Sequence, residues 1–297
     1  MNFDVVIVGG SYAGISAGLQ LARARRKILV VDAGERRNRF AAQSHGFLGQ
    51  DGREPGAIAA EARVQLERYP SVAWVEGRAE GARRIEGGFA VDLGNGRVKT
   101  ARRLVLAAGV SDSLPDIPGL RERWGRSVFH CPYCHGYELE QGRIGVLAVS
   151  EHSIHHGLML PDWGTTTLFT NGVFVPDAEQ LRQLAARGTT VEPALVREIR
   201  GESADVVLED GRVVALDGLF TMPRTSLQIP WVEQLGCELD AGPMGAFIRT
   251  DAMKQTTARG VFACGDIARA AGSVALSVGD GAMAGAATHR SLMFEAD

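Results

Sequence analysis

The sequence predicts an α/β fold of two parallel-sheet units, the second inserted into the first. Three observations point there. An apolar strand, Phe3 to Val8, leads into a glycine-rich turn and then a helix, which opens a βαβ unit. The same alternation restarts near Gly142 as a degenerate repeat of the first unit. After Pro243 the chain returns to strand, turn and helix, so residues 1–115 and 245–297 are expected to form one unit and 116–244 the other. A length of 297 residues agrees with two domains at roughly 150 residues each.

Phe3–Val8 is apolar apart from Asp4, as a parallel strand buried on both faces over most of its length requires. The turn Gly9-Gly10-Ser11-Tyr12-Ala13-Gly14 follows, then a helix to about Arg26, then an apolar strand, Lys27–Val31, ending on Asp32. Residues 72–107 read as short strands with turns at Gly87-Gly88 and Gly94-Asn95-Gly96, closing on Leu104–Ala108. Two prolines and several polar residues mark Val110–Pro118 as a linker. In the second unit a strand, Ile144–Val149, precedes a helix at Ser153–Leu160, a strand at Thr166–Thr170 and a helix at Ala178–Arg187. Further strands run to about Phe220, and the last element is a small-residue helix, Ala275–Ser291.

Composition excludes several partner classes. Lysine and arginine number 32 against 35 acidic residues, a net charge of −3, so the basic face that a nucleic-acid partner needs is not expected. No apolar run approaches the roughly 18 residues of a membrane span, and MNFDVVIVGG reads as a first strand rather than a signal peptide. Glycine, at 37 residues, is in excess and suggests many tight turns and close backbone approaches. Of four cysteines, Cys131 and Cys134 form a C-x-x-C, while Cys237 and Cys264 stand alone. That usage points to a reducing compartment, the cytoplasm, and to one redox or metal dithiol.

The first turn lets the backbone approach a pyrophosphate at a helix N-terminus, although Ser11 stands where a full G-x-G-x-x-G has glycine. Its context strengthens it: a buried strand precedes it, and Asp32 follows where an acid binds a ribose hydroxyl. The alternative is a tight strand–helix turn with no ligand. LVLAAG, ending at Ala108 and Gly109, is an apolar strand with small residues that let the chain pass close to a cofactor. TTARGVFACGD closes on Gly265 and Asp266 and leads to the final helix. In HCPYCHGYE no second ligand pair stands at metal-site spacing, so no metal is expected; Pro-Tyr between the cysteines favours a turn that joins the sulfurs.

The three segments, in this order, resemble the two-dinucleotide-binding-domain flavoproteins. The resemblance implies two Rossmann-like dinucleotide-binding domains and bound FAD. It places Gly9, Ser11, Tyr12, Ala13, Gly14 and Asp32 at the adenosine half, with Ala108 and Gly109 beside them. Asp266, after Gly265, would take the ribityl chain, and the Val274–Ala275 backbone would face the flavin ring. The C-x-x-C, at the start of the second domain, is similar to that of thioredoxin reductases of the low-molecular-weight bacterial type. By that resemblance Cys134 is the flavin-proximal sulfur, Cys131 the interchange thiol, and a homodimer is implied. Where those reductases carry an acid after the second cysteine, this chain has His135, an acid/base candidate near neutral pH, with His130 as a substitute.

The second domain departs from the reductases. After the Ile144 strand it reads L-A-V-S-E-H-S, which puts Ala148, Ser150 and Ser153 where glycines and a small residue belong, with Glu151 adding negative charge. Thr170-Asn171-Gly172 stands where a 2′-phosphate clamp is expected, and no cation follows before Arg182. The domain is therefore expected to be a degenerate NAD(P)-type domain that does not bind NADPH. The expected activity is FAD-dependent thiol–disulfide exchange between Cys131/Cys134 and a thioredoxin-like protein disulfide or a small-molecule dithiol, with oxygen or an unidentified donor completing the cycle. Two alternatives stand beside it. One is an oxygen-dependent dithiol oxidase similar to those that close disulfides in small natural products; the other is a non-enzymatic FAD-binding redox sensor.

Overall fold

The computed structural model describes residues 1–294, so the last three positions of the expected first unit lie outside the described residues. The chain divides into two compact units, one of residues 1–39, 55–111 and 225 onward, the other of 40–54 and 112–224.

In the first unit β1 (Phe3–Val8), β2 (Ile28–Asp32) and β3 (Val72–Glu76) run parallel, with β6 (Val98–Leu106) parallel on the other side of β1. A strand from Val261 to Ala263 extends the sheet beyond β6, pairing Val261 with Leu104. β4 (Gly81–Ile85) and β5 (Gly88–Asp92) pair antiparallel along the N-terminal half of β6. Successive residues of one strand enter different cores, as the two-residue period demands. Val6 and Val8 join Leu29, Leu104 and Val261 on one face, while Val5 and Ile7 join Ile28, Val105 and Phe262 on the other. Both faces are dry, which is why these strands read as continuous apolar runs.

Helix α1 (Tyr12–Arg23) covers one face and stops three residues before the expected Arg26. Arg25 there takes φ +59°, which reverses the chain into β2. The final helix, Val274–Phe294, packs on α1 through small residues: Ser16 Oγ donates to Val278 O at 2.7 Å, and a Cβ at Gly281 would overlap the Ala13 carbonyl. At the helix's far end the buried Arg103 donates to Ser291 Oγ at 3.0 Å and to Ser291 O at 3.2 Å. Residues 225–244, expected in the second unit, group with the first. Trp231, Val232 and Leu235 are buried in its core, and Trp231 Nε1 donates to Ala79 O at 3.1 Å.

The second unit repeats the plan with five parallel strands. In spatial order they are Thr190–Glu192, Gly164–Phe169, Gln141–Leu147, Gly218–Thr221 and Val128–Phe129. Its side chains also sort by face: Val128, Leu147, Phe169 and Leu219 enter one core, and Phe129, Ile144, Val146 and Phe220 the other. The helix expected at 153–160 is a 3₁₀ turn, Glu151–Ser153, followed by a shorter helix, Ile154–Met159. The stretch expected as a linker begins with a strand, Val110–Ser113. Residues 40–54 group with this unit, where a Cβ at Gly125 would lie 2.7 Å from the Phe40 Cβ.

Candidate active site

The first turn spans Gly9 to Ser11, between β1 and α1. Gly9 has φ +105°, a region that side-chain-bearing residues rarely adopt. A Cβ at Gly14 would overlap the Gly9 carbonyl oxygen, so the turn closes only with glycine at both places. Asp32, at the end of β2, accepts the Gly10 amide on Oδ1 at 3.0 Å. Ser11 is the N-cap of α1 and makes no capping bond, so the first amides of the helix carry no side-chain cap.

An open cleft lies over this turn. Gly9, Ser11, Asp32, Arg36 and Ala108 contribute to its lining. Among the described residues the buried Arg36 Nε and Asn38 Oδ1 meet no hydrogen-bond partner, while the Asn38 Nδ2 donates to the Tyr12 hydroxyl at 3.2 Å. A buried polar atom left unpaired costs about 1–3 kcal/mol, so a polar ligand here would offset a standing penalty. Capless helix amides, a ribose-height carboxylate and an unpaired guanidinium nitrogen fit the adenosine-pyrophosphate half of a dinucleotide.

Asp266 anchors a second group of residues in the same unit. It follows Gly265, which has φ +77°, and its Oδ2 accepts Arg37 Nη1 at 2.9 Å. Its Oδ1 faces Ser277 Oγ at 3.5 Å, in the first turn of the helix opened by Val274 and Ala275. Gly265 packs on Ala13, where a Cβ would lie 2.9 Å from the Ala13 Cβ. Of the expected cofactor residues, Gly9, Ser11, Asp32 and Ala108 line the cleft, and Tyr12, Ala13 and Gly14 start α1. Tyr12 is fixed by its hydroxyl, which donates to Pro55 O at 2.9 Å. Gly109 (φ +69°), Gly265, Asp266, Val274 and Ala275 lie outside the cleft lining. Arg36, Arg37 and Asn38 were not anticipated; the run E-R-R-N-R just after Asp32 was the available signal.

In the second unit Cys131 and Cys134 form a disulfide with their Cα atoms 5.3 Å apart. Cys131 is the N-cap of a short helix, Pro132–His135, and Pro132 takes the first helical position, where its missing N–H is no loss. The Cys134 amide closes the turn on Cys131 O at 3.2 Å. The His135 ring stacks on Phe129, from the preceding strand. Burial pushes His135 below its ordinary proton affinity; Glu138 pulls it back up, and His45 adds to the depression. The net result is an imidazole that is neutral near pH 7 and able to accept a proton. The His130 ring lies 6.0 Å from that of the buried His156.

The turn after the Gln141–Leu147 strand is filled by side chains. Ala148 is buried, with its amide on Phe169 O at 3.0 Å, and the buried Ser153 Oγ accepts the Val149 amide at 3.1 Å. Glu151 Oε1 accepts Gln180 Nε2 at 2.9 Å. Asn171, at φ +48°, uses Oδ1 to accept the Val196 amide at 2.8 Å. Among the described residues no group of three or more His, Cys, Asp or Glu side chains is placed to hold a metal, and no helix is long and apolar enough to cross a membrane.

The sequence matches the family model for pyridine nucleotide-disulphide oxidoreductases over residues 3–150 and 177–285. The chain belongs to that family. It is 32% identical over 277 residues to thioredoxin reductase tcpT of Claviceps purpurea, covering 89% of this chain and 86% of that one. The crystal structure of the oxidoreductase from Agrobacterium tumefaciens is 66% identical, with a TM-score of 0.97 over 99% of this chain and 100% of that one. The putative thioredoxin reductase TrxB of Bacillus anthracis is 28% identical, with a TM-score of 0.91 over 99% of both chains. The protein is thus a flavin-dependent, thioredoxin reductase-like oxidoreductase with the two-domain Rossmann-type fold, an enzyme rather than a passive flavin-binding sensor.

Proposed function

We propose that this oxidoreductase uses FAD for thiol–disulfide exchange through Cys131 and Cys134, without NADPH. One observation carries the reading: a disulfide shares its unit with a nucleotide-type turn whose glycine positions hold Ala148, Ser150 and Ser153. Every added Cβ there obstructs a pyrophosphate, and Asn171 spends its carbonyl on the Val196 amide where a cationic clamp is needed.

Gly9, Ser11, Tyr12, Ala13, Gly14, Asp32, Ala108 and Gly109 would hold the adenosine half of FAD, and Gly265, Asp266, Val274 and Ala275 the ribityl and ring half. FAD, when bound, supplies a two-electron exchange partner for the dithiol. The chain's own residues perform the exchange with substrate. A substrate thiolate attacks the Cys131 sulfur, the Cys131–Cys134 bond breaks, and Cys134 leaves as a thiolate. The second substrate thiolate attacks the mixed disulfide, which forms the substrate disulfide and releases Cys131. In the opposite direction Cys131 attacks a substrate disulfide and Cys134 closes the ring. Each cycle moves two electrons, and His135 accepts or returns the thiol proton.

The substrate class is a thioredoxin-like protein disulfide or a small-molecule dithiol; a homodimer follows from the family resemblance, and a cytoplasmic location from the sparse cysteine usage. A second reading, an oxygen-dependent dithiol oxidase, is favoured by His135 next to Cys134, since burial keeps its ring in the neutral form that can take a thiol proton. Anaerobic stopped-flow absorbance tests both, mixing oxidised holoenzyme with NADPH or with dithiothreitol. Fast bleaching by dithiothreitol and slow bleaching by NADPH is the expected result. Fast reoxidation in air then selects the oxidase. Fast stoichiometric bleaching by NADPH overturns the reading.

A further inference from the structure

We infer that His45 is a positioning residue for the proton transfer at His135, acting through Glu138; the inference rests on the role proposed above for His135. The imidazole of His45 sits between two carboxylates, with Nε2 3.4 Å from Glu138 Oε1 and Nδ1 3.6 Å from Asp51 Oδ1. Each ring nitrogen of His45 therefore has a carboxylate oxygen facing it. Its side chain is 17% exposed, against 39% for Glu138 and 71% for Asp51, so the Glu138 side is the better shielded from solvent.

The loop that carries His45 is built to hold it there. Ser44 and Arg53 close it as an antiparallel bridge, with the Ser44 amide on Arg53 O at 2.8 Å and the Gly52 amide on Ser44 O at 2.9 Å. Asp51 accepts the Gly46 amide on Oδ1 at 2.8 Å, using the same oxygen that faces His45. Gly46, Gly49 and Gly52 all take φ between +72° and +77°, which lets the loop turn tightly about the imidazole.

Glu138 follows His135 by three residues, so it lies on the same side of the tight helical run that carries the disulfide. The groups acting on His135 are its own burial, Glu138 and His45, with the apolar Phe129 ring against one face. His45, held against the Glu138 carboxylate, competes with His135 for it and so weakens its pull of a proton onto His135. The neutral form of His135, the one that takes a thiol proton, is favoured as a result. The loop 40–54 thereby supplies a group to the chemistry of a dithiol far along the sequence.

The test is a titration of the holoenzyme labelled with ¹⁵N-histidine, read by NMR, with each ring assigned from the His45→Gln and His135→Asn variants. His45→Gln is expected to raise the His135 midpoint by about half a pH unit, and Glu138→Gln to lower it. In the Glu138→Gln background the effect of His45→Gln should shrink. An unmoved midpoint, an opposite shift, or an equal shift in both backgrounds overturns the inference. A parallel pH profile of disulfide reduction by dithiothreitol separates the two layers. If His135→Asn leaves that profile unchanged, the proposed role of His135 falls, and this inference with it, even where the imidazoles influence one another.

Discussion

The imidazole of His135 lies against the phenyl ring of Phe129, with centroids 4.5 Å apart and planes tilted by 22°. Phe129 is buried and belongs to the same core as Phe220 and Val146, so the sheet itself holds the proposed proton acceptor. Replacing Phe129 with Leu removes the flat face and admits water to the imidazole. The His135 midpoint is expected to rise toward its ordinary value, with a stability loss of about 1 kcal/mol. Histidine NMR titration of the variant holoenzyme, beside a urea unfolding curve, measures both.

The two cysteines are expected to differ spectroscopically. Cys134→Ser should abolish the long-wavelength charge-transfer absorption that appears on partial reduction, and Cys131→Ser should keep or enhance it. Anaerobic titration with dithionite under a diode array reads the band directly. The opposite pattern exchanges the two roles.

The first turn is expected to tolerate no side chain at position 14. Gly14→Ala drives a methyl into the Gly9 carbonyl, for a loss of about 1–3 kcal/mol and a turn that no longer closes on a pyrophosphate. The purified variant should be colourless, or lose its yellow colour on dialysis. Asp32→Ala should weaken flavin retention about 10-fold or more, since it also strips the Gly10 amide of its acceptor. Flavin content per protein, measured from absorbance after exhaustive dialysis, tests both variants.

Acid sensitivity is expected to trace to His156. It is 5% exposed, and burial first, then His130 and His155, lowers its pKa to about 3. Between that value and about 6.5 the unfolded chain binds a proton that the folded one refuses, so stability is complete above that window and falls with the pH. From pH 7 to pH 5 the loss is about 2 kcal/mol. His156→Leu removes the buried, unpartnered Nδ1 and should remove most of this slope. Urea midpoints at the two pH values, for wild type and variant, decide the matter; equal slopes assign the acid sensitivity elsewhere.

Much of the fold was legible because its central strands are dry on both faces. Phe3–Val8, Ile28–Asp32 and Leu104–Leu106 announce themselves as apolar runs, and the turns that follow them carry glycine or acid where the geometry requires it. The helix Pro55–Glu67 was not read, and only four of its residues are buried, which leaves a weak periodic signal. The grouping of residues 40–54 had no local signal either. It depends on Phe40 meeting Gly125 and His45 meeting Glu138, pairings that only the folded chain creates. Likewise the C-x-x-C was visible as a spacing, whereas Arg37 on Asp266 joins residues more than 200 positions apart.

The side-chain-filled second turn has a consequence for how such a protein can change. Glycine at 153 would strip the Val149 amide of its acceptor, and glycine at 171 would do the same to Val196. Each of these two steps gives up a hydrogen bond, at about 1–3 kcal/mol if the amide is left unpaired, before any nucleotide arrives to compensate. Those two changes lose stability when made singly, whereas glycine at 148 or 150 leaves the backbone bonds of the turn in place. A laboratory effort to open the turn to a nucleotide therefore has to supply new acceptors for the Val149 and Val196 amides together with the glycines.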